Sequence, residues 1–76
     1  MTPENSLKRT PLSLSDGERK VMALIAEGLQ NSVVASRLGL QTGTVNARVR
    51  LILLKLGARN RADATRRWIK GGKGGL

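Results

Sequence analysis

Asn46, Ala47 and Arg50 are the residues of this chain whose types and spacing could read nucleic-acid bases. An Asn amide can pair bidentately with adenine, an Arg guanidinium can donate to both O6 and N7 of guanine, and an Ala methyl can lie against the methyl of thymine. Taken singly, each would be an ordinary solvated surface position. On one helix, all three project from the same side of its first two turns, and together they point to base contact in a major groove. Thr42 and Thr44, near the start of that helix, and Asn31 and Ser32, at the start of the preceding one, stand where unpaired backbone N–H groups suit phosphate oxygens. Thr42 has a plainer reading as a helix cap. Lys55, Arg59 and Arg61 cluster around Gly57, where they would reach the flanking phosphate backbone and add affinity without sequence information.

Such side chains act only if a scaffold holds them, and the pattern around them is helical throughout. Ser15 with Glu18 three residues on is a capping box, after which Val21, Met22, Ile25 and Leu29 recur at helical spacing until Gly28. Asn31 or Ser32 can cap a short second helix, Val33 to Leu38, with Val34, Ala35 and Leu38 facing inward and Gly39 closing it. A third helix runs from Thr42 to Leu56, with Val45, Val49, Ile52 and Leu56 on one side, Arg48 and Leu53 at the edges, and Gly43, Asn46, Ala47, Arg50, Leu51 and Leu54 on the other. Gly57 ends it. Asn60 then caps a fourth helix, Arg61 to Lys70, with Ala64, Trp68 and Thr65 facing in. The expected fold class is all-α, with residues 1–12 a flexible N-terminal arm, 13–70 one folded domain and 71–76 a disordered Gly/Lys tail.

Composition narrows the function. The formal charge is +9 over 76 residues, and it is not spread evenly. In residues 1–36 the cations Lys8, Arg9, Arg19 and Lys20 cancel Glu4, Asp16, Glu18 and Glu27, so the whole excess lies in residues 37–76, where Asp63 is the single acid. A merely solubilising surface would not segregate charge this way. There is no histidine and no cysteine, which removes the usual general base, the usual zinc ligands and any disulfide; neither an enzyme nor a metal or other cofactor site is expected. No apolar run approaches the roughly 18 residues of a membrane span, and a cytoplasmic protein with no membrane or small-molecule partner is the expectation. Trp68 is the only aromatic residue, too few for a single-strand binder built on stacking platforms.

From Leu14 to Ala64 the chain resembles the LuxR/FixJ-type (GerE-like) helix-turn-helix domain. The resemblance rests on Leu14-Ser15 with Glu18, Val21-Met22, Glu27-Gly28-Leu29 with Asn31, Val34-Ala35, Arg37-Leu38-Gly39-Leu40, Thr44-Val45, Ile52, Lys55-Leu56-Gly57 and Arg59-Asn60-Arg61-Ala62. It implies a four-helix domain with its third helix in the major groove, base contacts from Asn46, Ala47 and Arg50, a homodimer formed through helix four, and a bacterial or phage, nucleoid-associated setting. Arg48 stands where the family usually has histidine and Asn46 where it often has lysine, so the preferred operator need not follow the family's. Val33 and Gln41 also depart from the pattern, replacing a common acid and a common Ser/Thr cap.

The expectation is therefore a stand-alone transcription regulator binding a pseudo-palindromic duplex as a dimer, with any sensing module on another chain. Ala64, Thr65 and Trp68 are assigned to a dimer or partner interface, Trp68 also being a candidate core anchor. Leu51 and Leu54 lie on the outer side of helix three, where they either pack under Trp68 or the N-terminal arm, or form an exposed apolar patch for a partner. The second option supports an alternative function: a small modulator that binds a larger regulator of the same family, or RNA polymerase, through helix four and that patch.

Overall fold

The computed structural model describes residues 14–71, so the N-terminal arm and the tail after Gly71 lie outside the described residues. Within them the chain forms four helices and no strand: α1 (Asp16–Ala26), α2 (Asn31–Leu38), α3 (Thr42–Leu56) and α4 (Arg61–Lys70). The ends of α1 follow from its capping box. Ser15 Oγ accepts from the Glu18 N–H at 3.2 Å while Glu18 Oε1 accepts from the Ser15 N–H at 2.8 Å, satisfying two otherwise unpaired donors. Asn60 starts α4 in the same way, its Oδ1 accepting from the Asp63 N–H at 2.8 Å.

The two helices between them start differently. α2 begins at Asn31, two residues before the position expected from its periodicity, and its N-cap is Gln30, not Asn31 or Ser32. α3 has Gln41 at its N-cap, with Thr42 already the first helical residue. Neither glutamine makes a side-chain cap hydrogen bond. A glutamine is one methylene too long for the compact loop by which Ser or Asn reaches its own N2 or N3 amide. Their C-terminal ends, by contrast, are closed as the glycines suggest. Gly39 and Gly57 sit at φ 68° and 65°, where a Cβ would crowd the following carbonyl. That left-handed step lets the Leu40 N–H reach the Ala35 carbonyl and the Ala58 N–H reach the Leu53 carbonyl, each at 2.9 Å.

All four helices bury one stripe in a common core of Leu14, Val21, Met22, Ile25, Val34, Ala35, Val45, Val49, Ile52, Leu56, Ala64 and Trp68. Met22, Ile52 and Leu56 are among its largest fully buried side chains, and each such residue contributes about 1.5–3 kcal/mol. α1 and α3 each pack against the three other helices, whereas α2 and α4 form no substantial pair. Consequently α3 is held on three sides and has one side left for a ligand.

Candidate nucleic-acid interface

What orients α3 is partly apolar and partly ionic. Its Val45, Val49, Ile52 and Leu56 stripe is buried, and Lys55 Nζ donates to Glu18 Oε1 at 2.9 Å, tying the last turn of α3 to the first turn of α1. Burial pushes the Glu18 carboxyl up, but the Ser15 N–H and Lys55 outweigh that and hold it below its ordinary value. Arg48 turns away from the open side and runs toward α1. Its Nη1 would lie 2.9 Å from a methyl at Gly17, so a side chain at that position would make the end of Arg48 shift.

The free side of α3 carries the residues read from the sequence as base-contacting. Asn46, Ala47 and Arg50 are all exposed, as are Thr42, Gly43 and Thr44 at the helix start. Arg50 and the exposed Arg37 of α2 enter no ion pair or side-chain hydrogen bond among the described residues. The uncapped starts of α2 and α3 leave backbone donors at Asn31, Ser32, Thr42 and Gly43 without a side-chain acceptor, the arrangement that favours phosphate oxygens.

Several residues expected to reach phosphates have other partners. Arg61 is half-buried, with Nη2 donating to the Leu29 carbonyl at 2.8 Å and Nη1 to Asn31 Oδ1 at 2.5 Å. Asn31 in turn donates through Nδ2 to Asn46 Oδ1 at 2.7 Å. Thus Arg61 and Asn31 bridge the gap between α4 and α2 and end on a base-reading candidate. No spacing rule could have shown this, because the partners are separated by 30 and 15 residues. Lys55 is engaged by Glu18, as described. Arg59 fits its expected place better: its side chain is 84% exposed and touches Asp63 only at 3.9 Å.

Asp63, the single acid of the basic half, is an internal anchor. Its buried carboxylate accepts from the Arg59 backbone N–H at 3.0 Å and pairs with the side chains of Arg66 and Arg67. The Arg59 N–H contributes most to holding its pKa at about 2, against an ordinary 3.8, burial opposing and the two arginines assisting.

The residues assigned to a partner surface divide. Ala64 and Trp68 are 2% and 4% exposed and belong to the monomer's own core, so neither is free to meet another subunit. Thr65 is half-buried, and the exposed large apolar residue of α4 is Ile69, which the sequence pattern left unassigned. Its signal was the Trp68-Ile69 pair: adjacent residues on a helix lie about 100° apart, so only one could face in. Ile69 borders a shallow hollow lined also by Ala23, Ala26, Glu27 and Trp68. Leu51 and Leu54, at 47% and 70% exposed, are not buried under Trp68, and the other packing expected for them, against the N-terminal arm, lies outside the described residues.

Residues 12–68 match the family described as bacterial regulatory proteins, luxR family. The chain belongs to the LuxR family. Among curated relatives, it is 50% identical over 49 residues to the C4-dicarboxylate transport transcriptional regulatory protein DctR of Rhodobacter capsulatus, a match covering 64% of this chain and 25% of the relative. It is 43% identical over 58 residues to the DNA-binding transcriptional activator DevR/DosR of Mycobacterium tuberculosis, covering 75% of this chain and 27% of the relative. Identity to the transcriptional regulatory protein DesR of Bacillus subtilis is 37% over 54 residues, covering 71% and 27%. The chain therefore spans about a quarter of the length of these relatives. LuxR-family membership makes the four-helix unit a helix-turn-helix DNA-binding domain of the transcription-regulator class, with α2 and α3 as its helix pair and Leu38 to Gln41 as the turn. Among the described residues no helix is long and apolar enough to cross a membrane.

Proposed function

We propose that this LuxR-family chain regulates transcription by binding a pseudo-palindromic duplex as a dimer, with α3 in the major groove. The observation that carries the reading is the free side of α3, where Asn46, Ala47 and Arg50 are exposed together beside two uncapped helix starts. Asn46 donates to N7 and accepts from the N6 amino group of adenine, Arg50 donates to guanine and Ala47 offers a methyl contact, while Thr42, Thr44, Ser32 and the backbone donors around them take flanking phosphates. Arg59 adds a phosphate contact at the far end of α3, and Arg37 is a further candidate. Two copies would pair along the outer side of α4 through Thr65 and Ile69, setting the half-sites about one helical turn apart.

The alternative of a protein-binding modulator is weaker. It draws on five residues, of which Ala64 and Trp68 are spent in the core, while Leu51 and Leu54 share a side with Asn46 and Arg50. A partner seated there would exclude DNA.

Selection of bound duplexes from a random pool at a fixed salt concentration tests the proposal. A two-fold symmetric motif with half-sites about 10 base pairs apart is the expected result. An unpatterned pool would refute base reading, and an isolated half-site would refute the dimer.

A further inference from the structure

Leu51 and Leu54 are large apolar residues left exposed on α3, outside the core of the described residues, and their place on the helix suggests what they do. At 100° and 1.5 Å per residue, Asn46, Ala47, Arg50, Leu51 and Leu54 fall within an arc of about 140° and along about 12 Å of the helix axis. Twelve ångströms corresponds to between three and four base-pair steps of about 3.4 Å. Within that arc Leu54 lies between Arg50 and Ala47, with Leu51 at its margin. A pose that lays the axis of α3 along the groove and brings Asn46, Ala47 and Arg50 to base edges carries the two leucines along the same groove, Leu51 beside Arg50 and Leu54 about one turn beyond it.

The chemistry of the groove wall then limits what they can meet. Over a G·C pair, an isobutyl group would desolvate guanine O6 and N7 or the cytosine amino group without replacing their hydrogen bonds, which is costly. Leucine has nothing to offer a phosphate. The apolar group on the major-groove edge of unmodified DNA is the C5 methyl of thymine. Contact with it would remove two exposed hydrocarbon surfaces from water at once.

We infer that Leu51 and Leu54 are specificity-determining residues that select thymine through its C5 methyl, next to the base pairs read by Asn46 and Arg50. The inference rests on the proposed groove docking of α3 and predicts the composition of the operator it leaves open. It requires thymines adjoining the Asn46 and Arg50 contacts in each half-site.

The test uses the duplex obtained by selection with the full chain and replaces its thymines one at a time by deoxyuridine, which deletes only the methyl. At a thymine under Leu51 or Leu54, affinity should fall about fourfold per methyl lost. In the Leu51→Ala/Leu54→Ala protein, whose folding circular dichroism would check, the thymine and uracil duplexes should bind equally at that position. A duplex carrying 5-methylcytosine there should bind more weakly than thymine but better than cytosine. The inference is overturned if uracil is neutral at every position for the parent protein, if the variant keeps the full methyl preference, or if 5-methylcytosine outbinds thymine. It is also overturned if the variant changes the oligomeric state in sedimentation while its methyl preference persists, which would assign the leucines to a second copy. Failure of the underlying reading looks different: selection would then return no motif at all.

Discussion

At the residue scale, Arg50 and Arg59 are both exposed arginines of the basic half, and charge alone would treat them alike. Their settings separate them. Arg50 projects from the middle of the free side of α3, whereas Arg59 lies beyond its end, near the start of α4. Arg50→Ala should cost on the order of 1–3 kcal/mol on the selected duplex and relax preference at one base pair, with little loss on random DNA. Arg59→Ala should weaken every sequence to the same degree and lower the slope of log affinity against log salt by about one. Binding titrations on both duplexes at several salt concentrations measure these effects. Asn31 gives a second prediction. If it orients Asn46 by donating to Oδ1, then Asn31→Ala leaves the amide free to rotate and blurs discrimination at the Asn46 base pair, while random-duplex affinity stays within about twofold; loss of its two side-chain hydrogen bonds, one to Asn46 and one from Arg61, should cost the fold about 1–3 kcal/mol. A uniform loss across sequences would restore Asn31 to phosphate binding.

At the scale of the element, glycines within and after α3 should respond with opposite sign to the same substitution. Gly57 sits at φ 65°, so Gly57→Ala forces a Cβ into the left-handed region and should lower stability by about 1 kcal/mol. Gly43 lies inside the helix, and a methyl there would meet nothing within 4 Å; Gly43→Ala should raise stability by about 0.5 kcal/mol. Thermal denaturation of the two variants checks both signs. The fold thus has no need of glycine at 43. A backbone brought close to DNA would, and weaker DNA binding by the more stable variant is the expected accompaniment.

At the scale of the whole molecule, two buried carboxylates offset part of the positive charge of a highly cationic chain. Glu18 joins α1 to α3 through Lys55, and Asp63 gathers the arginines of α4 and the turn before it. Both carboxyls titrate lower in the folded state than their ordinary values, so each stabilises the fold when ionised and ceases to do so as it is protonated. For Asp63 the folded value of about 2 lies below the ordinary 3.8, so its contribution is complete above that ordinary value and disappears as pH falls through the folded one. Melting temperature should therefore be flat near neutrality and drop steeply below about pH 4. Asp63→Asn should melt lower at pH 7 and show a shallower acid limb, the remainder coming from Glu18. A profile unchanged in shape would remove Asp63 from this role.

Helix count, the buried stripe of α3, the capping box and the glycine stops could all be read from the chain, because each depends on residues within one or two turns of each other. The free side of α3 was legible for the same reason: a helix wheel needs only local periodicity. Local order does not reveal which polar atoms meet across the bundle. Arg61 and Asn31 suit phosphates by type and position, yet packing also brings them together and onto Asn46, and it sets Lys55 against Glu18. Likewise Ala64 and Trp68, inward on the wheel, and Leu51 and Leu54, outward on it, could each serve either packing or an interface by type. Burial separated them, since only the tertiary arrangement determines which apolar face the other helices have room to cover.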